Sequence, residues 1–140
     1  AVFGVWQAMS HIGAGLYNEP GGLTWEDLRS TDPDAARAFY AAVFGYQTSG
    51  LPGAGADYTT FEFSPERPLG GMGGMMSGEG SSSWLVYFAV RDASAAVVAA
   101  EAGGGSVLTR DFDTPFGRMA GLADPAGAPF WVAQAPSQGQ

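Results

Sequence analysis

The chain has 140 residues with a hydrophobic share of 46% and a charged share of 14%, which indicates one folded domain with a core of its own. Fourteen acidic residues against six basic ones give a net charge of −8, a poor match for nucleic acid or anionic membranes. The absence of cysteine excludes disulfides, cysteine-ligated zinc and thiol catalysis, and a single histidine excludes a two-histidine metal motif. With no membrane-span pattern and no secretory signal, the sequence predicts a cytoplasmic protein.

The first segment, Ala1–Gln7 (AVFGVWQ), is an apolar run that predicts a short strand. The turn-rich residues 9–21 follow as a connector that contains the single histidine, His11. For His11, a solvated or capping role is favoured over catalysis, and packing between domains is the functional alternative.

The stretch from Thr24 to Tyr46 predicts a strand that leads into an amphipathic helix. Asp32 has the chemistry of an N-cap, and Pro33 follows at the first helical position, where its missing N–H costs nothing. The apolar side chains between 36 and 44 recur at helical spacing, and Gly45 stands where a helix stop is expected. Within the strand, alternation places Trp25, Asp27 and Arg29 on one face.

Three more strands are predicted after this helix, over residues 46–51, 58–63 and 69–76. The last is glycine-rich (LGGMGGMM), which indicates a weak edge strand or an inner strand. Its glycines do not fit a phosphate-binding loop, because no Lys-Ser or Lys-Thr pair follows them. Residues 77–83 predict a small polar linker.

The pattern then repeats at an offset of 60 residues without a gap. Residues 84–90 predict a strand, Asp92 a second N-cap, residues 93–102 a second helix and residues 103–105 its glycine stop. Strands over 106–111, 118–123 and 129–134 complete the second half, with turns at 114–117 and at Asp124–Gly127. The sequence therefore predicts an α+β fold of two tandem βαβββ modules that form a cup-shaped cleft.

The expected organisation is a domain over residues 22–135, with modules at 22–80 and 81–135 and a tail at 136–140. The final strand, APFWVAQ, resembles the opening AVFGVWQ. We therefore expect residues 1–8 to be a strand left over from a preceding domain of similar build. On this interpretation the chain pairs with that domain or forms a homodimer, because an unpaired apolar edge strand invites a partner.

The tandem modules resemble the vicinal oxygen chelate superfamily, which contains glyoxalases, bleomycin-resistance proteins and extradiol dioxygenases, and more narrowly the C-terminal domain of actinobacterial two-domain glyoxalase-like proteins. The resemblance covers residues 22–135. The matching residues are Asp32, Ala36, Phe39, Tyr40, Gly45, Asp92, Ala96, Asp124, Pro125 and Gly127.

The resemblance also implies where metal ligands would stand in metal-dependent members. These positions fall on Trp25, Leu85, Trp131 and the segment 69–76, which offers only Gly, Leu and Met. Such residues cannot serve a hard divalent cation, which requires carboxylate, imidazole or carbonyl donors. The expectation is a lost metal site with no cofactor.

Several side chains are candidates for ligand binding, each with a plainer alternative. Trp25, Leu85 and Trp131 would form an aromatic floor for a planar ligand, or simply fill an unused cup. Asp27 and Arg29 would orient a polar ligand or form a satisfied salt bridge, and a desolvated Asp27 without Arg29 would be a general base. The candidate set is Trp25, Asp27, Arg29, Tyr58, Met75, Leu85, Tyr87, Phe116, Arg118 and Trp131.

Three functions fit this set. The favoured hypothesis is metal-independent binding of a hydrophobic, aromatic small molecule such as a natural product. The second is a lyase or oxygenase, with or without a metal, using Asp27, Glu62 or Asp111. The third is a degenerate structural half of a tandem protein.

Overall fold

The computed structural model describes residues 1–64, 66–76 and 80–136. The chain divides into two compact units, the first formed by Ala1–Trp6 and Trp25–Leu85 and the second by Gln7–Thr24 and Val86–Gln140. The order of elements is strand, helix and three strands, and this order then occurs a second time. The predicted α+β fold with tandem βαβββ modules is confirmed.

The first module contains one helix and four strands, in the sheet order β2-β3-β4-β1. Strands β2, β3 and β4 pair antiparallel, whereas β4 and β1 pair parallel. The glycine-rich strand β4 is therefore an inner strand, which settles the alternative that the sequence left open. The elements are β1 (Leu23–Ser30), α1 (Pro33–Phe44), β2 (Gln47–Gly50), β3 (Thr59–Glu62) and β4 (Pro68–Gly74).

Helix α1 begins and ends as local chemistry dictates. The Asp32 side chain accepts a hydrogen bond from the Ala35 backbone N–H at 3.0 Å, which satisfies one of the otherwise unpaired donors of the first turn. Gly45 has φ 74° in the left-handed region and donates its N–H to the Ala41 carbonyl. The core behind this helix contains Leu28, Tyr40, Phe61 and Met72, each at most 5% exposed.

The second module repeats this build, in the sheet order β5-β8-β7-β6. Asp92 caps its helix through the Ala95 N–H at 2.9 Å, and Gly104 adopts a positive φ after the helix. Its core contains Val97, Ala120, Leu122 and Val132. The elements are β5 (Ser83–Ala89), α2 (Ala93–Ala102), β6 (Ser106–Thr114), β7 (Gly117–Ala123) and β8 (Pro129–Gln134).

The repeat extends from sequence to sheet register. Asp27 pairs with Gly71 across β1 and β4, and Tyr87 pairs with Trp131 across β5 and β8. Both partners are displaced by the same 60 residues, so the parallel pairing of the two modules is equivalent. An internal duplication explains this agreement more simply than coincidence does.

The prediction of a strand at Ala1–Gln7 is wrong, because no residue from 1 to 8 has strand structure and all of them are exposed. Phe3 packs the segment against helix α1 instead. Phe3 contacts the rings of Phe39, Tyr40 and Phe44, at centroid distances of 6.3, 5.5 and 5.7 Å. An apolar run becomes a strand only when a sheet edge pairs with its backbone. Here the Phe3 ring packs on α1 without such pairing.

Smaller differences concern the ends of elements. Strand β6 continues three residues beyond the predicted end at 111, and β4 ends at Gly74, so Met75 and Met76 follow the strand. The predicted linker at 77–83 lies partly outside the described residues, as does most of the predicted tail at 136–140. Within the described part of the chain, no helix is both long and apolar enough to cross a membrane.

Candidate functional site

A buried polar cluster lies on one face of β1 in the first unit. The alternation of the strand turns Leu28 into the core behind α1 and leaves Asp27 and Arg29 on the opposite face. Asp27 is 2% exposed and therefore needs partners, since a buried unpaired carboxylate would be very costly. We call Trp25, Asp27, Arg29 and Tyr58 the Asp27 cluster.

Three side chains donate hydrogen bonds to the Asp27 carboxylate. Oδ1 accepts from the Trp25 indole Nε1–H at 2.9 Å and from the Tyr58 hydroxyl at 2.5 Å, and Oδ2 accepts from the Arg29 guanidinium at 2.8 Å. The Trp25 N–H also lies 2.9 Å from the Tyr58 oxygen, so it is shared between two acceptors. These hydrogen bonds fix the side chains of the Asp27 cluster relative to one another.

Tyr58 reaches Asp27 across the intervening strand because β4 carries no side chain there. Gly71 pairs with Asp27 on one side and with Thr60 on the other. A Cβ at Gly71 would overlap the Tyr58 hydroxyl and would lie 2.8 Å from Asp27 Oδ1. The glycine run of β4 is therefore explained by the side chains that cross it.

The environment keeps Tyr58 as a neutral donor. Burial raises the pKa of Tyr58 well above its usual value, and the negative charge of Asp27 raises it further. The Arg29 guanidinium carbon lies 5.3 Å from the centroid of the Tyr58 ring, at cation–π distance. One positive and one negative group make the cluster neutral in sum, and it contains the Asp27–Arg29 salt bridge that the sequence offered as one alternative.

The other two acidic candidates also have donors. Glu62, 2% exposed on β3, accepts from the Ser49 hydroxyl at 2.6 Å and from the Thr60 hydroxyl at 3.2 Å. Asp111 on β6 accepts from the Ser94 hydroxyl at 2.6 Å and from Arg118 Nε at 2.8 Å. The Ser94 hydrogen bond and then those of Arg118 lower the pKa of Asp111. Both carboxylates are therefore held in place by neighbouring side chains of their own unit.

In the second unit, two of the candidate residues, Tyr87 and Trp131, form an aromatic stack. The rings of Tyr87 and Trp131 are stacked with centroids 5.5 Å apart, and Phe112 meets Trp131 edge-on at 6.2 Å. Tyr87 and Trp131 are at least nine-tenths buried. Phe116 lies exposed in the turn after β6, and Arg118 forms ion pairs with Asp111 and Asp113.

The other two candidates, Leu85 and Met75, belong to the first unit. Leu85 is a buried residue of β5, 5% exposed, in the first unit. Met75 is partly buried just beyond the end of β4. The structure therefore brings together four of the ten predicted residues in one unit and the Tyr87–Trp131 pair in the other.

The residues at the implied metal-ligand positions do not fit a divalent ion. The Trp25 indole nitrogen carries a hydrogen that is donated to Asp27 and Tyr58, Leu85 is a hydrocarbon, and Trp131 stacks on Tyr87. Strand β4 contributes only Pro, Leu, Gly and Met side chains. Within residues 1–64, 66–76 and 80–136, no three His, Cys, Asp or Glu side chains lie close enough together to hold a metal ion.

Sequence reasoning missed the role of Gly71 and the surroundings of Glu26. Glu26 lies on the Leu28 side of β1, next to the aromatic side chains of Tyr40, Tyr46 and Trp84. An available signal was the alternation of the strand, which places Glu26 on the same face as the core residue Leu28.

Comparison with known proteins connects the fold to a family. Residues 27–133 match the family model described as "Glyoxalase-like domain". The chain is 44% identical over 141 residues to the protein named "Putative glyoxylase CFP32" of Mycobacterium bovis, covering 99% of this chain and 54% of that protein. It is 36% identical over 136 residues to the anthracycline biosynthesis protein DnrV of Streptomyces peucetius, covering 96% and 49%. The chain thus spans about half the length of these curated relatives.

A solved structure with the same fold is the glyoxalase/bleomycin resistance protein/dioxygenase superfamily member from Vibrio splendidus. It superposes with a TM-score of 0.54 at 13% identity, covering 80% of this chain and 98% of that one. At this identity the likeness concerns the fold alone.

Proposed function

The chain belongs to the glyoxalase-like domain family, and we propose that it binds a small, planar, hydrophobic organic molecule on the Asp27 cluster without using a metal ion. The single observation that carries the proposal is the position and fixed orientation of the Trp25 indole. Its indole stands where the family resemblance places a metal ligand, and its N–H is fixed by two acceptors.

A fixed indole is a suitable platform for a planar ligand. Trp25 is partly exposed, so part of its surface is available for stacking, whereas its orientation is already set by Asp27 and Tyr58. Preorganisation reduces the conformational entropy that binding would otherwise cost. Stacking between aromatic rings adds attraction beyond the buried area.

The charges of the cluster favour a neutral ligand. Asp27 and Arg29 neutralise each other at 2.8 Å, which leaves no net charge to attract an ion. A ligand with ring oxygens could accept hydrogen bonds at its edge, as pocket ligands commonly do at a few polar groups. Two relatives from Streptomyces are named anthracycline biosynthesis proteins, which supports a polycyclic aromatic class.

The test is binding of a neutral hydroxyanthraquinone, followed by quenching of tryptophan fluorescence and by calorimetry. We expect the same affinity after treatment with EDTA as after addition of Mn²⁺ or Zn²⁺. Substitution of Trp25 by Leu should weaken binding about tenfold or more, given about 1–3 kcal/mol for an aromatic stack. Trp25→Phe should retain most of the affinity, and Trp6→Leu is the matched control, since Trp6 is 60% exposed.

Other outcomes would select the alternatives. A stoichiometric divalent ion on which probe binding depends would overturn metal independence and favour a metal-dependent lyase or oxygenase. Equal binding by the wild type and Trp25→Leu would remove the Asp27 cluster from the site. No binding of any planar probe would favour a structural half of a tandem protein.

A further inference from the structure

Six aromatic side chains of the first unit form a closed circle of contacts, which we call the aromatic cluster. Each contacts the next, and the last contacts the first. The successive centroid distances are 5.5 Å for Phe3–Tyr40, 5.4 Å for Tyr40–Trp84, 5.7 Å for Trp84–Phe61, 4.9 Å for Phe61–Tyr46, 5.2 Å for Tyr46–Phe44 and 5.7 Å for Phe44–Phe3.

The six side chains of the aromatic cluster surround a cavity of about 330 Å³. Besides the six rings, the cavity is lined by Val2, Gly4 and Glu26, so that Glu26 is the one charged residue of its wall. Tyr40 and Phe61, at most 5% exposed, form the deep part, and Phe3, 39% exposed, stands toward solvent. The volume is at the lower end of the range for small-molecule sites.

The backbone makes room for the Glu26 side chain. Gly70 on β4 lies against it, because a Cβ at Gly70 would be 2.7 Å from Glu26 Cγ and 2.6 Å from Phe61 Cζ. Glu26 points to the opposite side of β1 from the Asp27 cluster, since adjacent strand residues alternate. This cavity is therefore separate from the site proposed above.

The electrostatic state of Glu26 is unusual for a carboxylate. Burial raises the pKa of Glu26, and the pKa of Tyr46 is raised by burial and then by the charge of Glu26. None of the ion pairs among the described residues includes Glu26. A carboxylate that loses water without gaining a cation is in the environment that a bound cation would improve.

We propose that this cavity binds an organic ammonium ion, with Glu26 as the counter-ion and the aromatic cluster as the wall. Aromatic rings attract cations through their π faces, most strongly when the site is desolvated, and quaternary ammonium groups are typical ligands of such walls. A small metal cation is disfavoured because it requires several oxygen ligands. An anion would be repelled by Glu26, and a neutral ligand would leave its charge unmatched.

The experiment compares choline with 3,3-dimethylbutan-1-ol, which has the same shape without the charge. Binding is followed by NMR of the Trp84 indole N–H, which donates to the Tyr40 hydroxyl at 3.0 Å and reports on the wall of the cavity. We expect choline to bind at least about tenfold more tightly than its isostere, because only choline gains the cation–π contacts and the ion pair with Glu26. Equal affinity, or no shift with either compound, would overturn the proposal.

Two further measurements test the role of Glu26. Glu26→Gln keeps the shape but removes the charge, and we expect it to lose most of the preference for choline. Glu19→Gln removes the same charge from an exposed position and should leave that preference unchanged. If Glu26→Gln fails to fold, the wild type decides, because choline affinity should fall as pH drops through a Glu26 pKa above the usual value for glutamate. A pH-independent affinity would contradict the proposal.

Discussion

Strands β4 and β8 occupy equivalent places in the two modules but are built in opposite ways. Opposite Asp27, β4 has Gly71, whereas opposite Tyr87, β8 has Trp131. In the first unit an empty strand lets Tyr58 cross to Asp27. In the second unit the strand fills its own space by stacking Trp131 on Tyr87.

The glycine that provides clearance changes strand between the units. In the first unit it is Gly71 on β4, and in the second it is Gly121 on β7, which faces Trp131. A polar cluster that spans three strands requires an empty middle strand, whereas a large ring needs room only on its neighbour. The comparison teaches that a small residue in a sheet is best explained by the side chain that passes over it.

The largest expected effect is from Asp27→Ala. It removes the acceptor of three hydrogen bonds and leaves the Arg29 charge without its counter-ion, so the free energy of unfolding should fall by about 3–5 kcal/mol. Urea denaturation measures the loss. The Asp111–Arg118 pair of the second unit, whose Arg118 side chain is 37% exposed, provides the control, and Asp111→Ala should cost clearly less. Equal losses of unfolding free energy in Asp27→Ala and Asp111→Ala would contradict the difference described between the two units.

The clearance argument predicts a difference between two glycine substitutions. Gly71→Ala would place a Cβ on the Tyr58 hydroxyl and should cost about 2–3 kcal/mol. At Gly121 the nearest atoms, on Trp131 and Thr109, lie 3.1–3.3 Å from the added Cβ, so Gly121→Ala should cost about 1 kcal/mol or less. Thermal unfolding of both variants tests this order, and the reverse order would contradict the role given to β4.

Removal of the Tyr58 hydroxyl should have a moderate effect that depends on pH. Tyr58→Phe loses one hydrogen bond to a charged group, about 1.5–2 kcal/mol at neutral pH. Because the folded-state pKa of Tyr58 is raised, the unfolded chain releases this proton first, and stability falls as pH rises above about 10. The difference between wild type and Tyr58→Phe should therefore shrink at alkaline pH. A constant difference up to about pH 11 would show that Tyr58 is not held neutral by folding.

The smallest effect has the opposite sign. Burial raises the pKa of Glu26 in the folded state, so its ionised form opposes folding at neutral pH. Glu26→Gln should therefore raise the unfolding temperature slightly near neutral pH. This gain should disappear below the unfolded-state value of 4.5, where both states are protonated. A destabilised variant at neutral pH would indicate that the carboxylate has a partner that supports folding.

The elements that sequence predicted well are those fixed by local chemistry. Asp32 and Asp92 cap their helices, and Gly45 ends the first one, because each acts on backbone groups within a few residues. Ala1–Gln7 has no strand structure in this chain, and its residue types alone could not show this, because a strand depends on a pairing partner outside the segment.

The sites depended on long-range register in the same way. The face shared by Trp25, Asp27 and Arg29 follows from the alternation of β1, but the arrival of Tyr58 does not. That contact requires β4 to lie between β3 and β1 with Gly71 at the crossing point. The aromatic cluster is assembled from residues that lie far apart in the chain, so no local sequence pattern predicts it.

The equivalence of Gly71 and Trp131 also bears on how the two modules evolved. Recombination between duplicated halves can keep them alike only while their segments remain interchangeable. A copy of β8 in the place of β4 would set an indole where Tyr58 meets Asp27, and a copy of β4 in the place of β8 would remove the ring that Tyr87 stacks on. In each half, the strand and the residues that cross it must therefore change together.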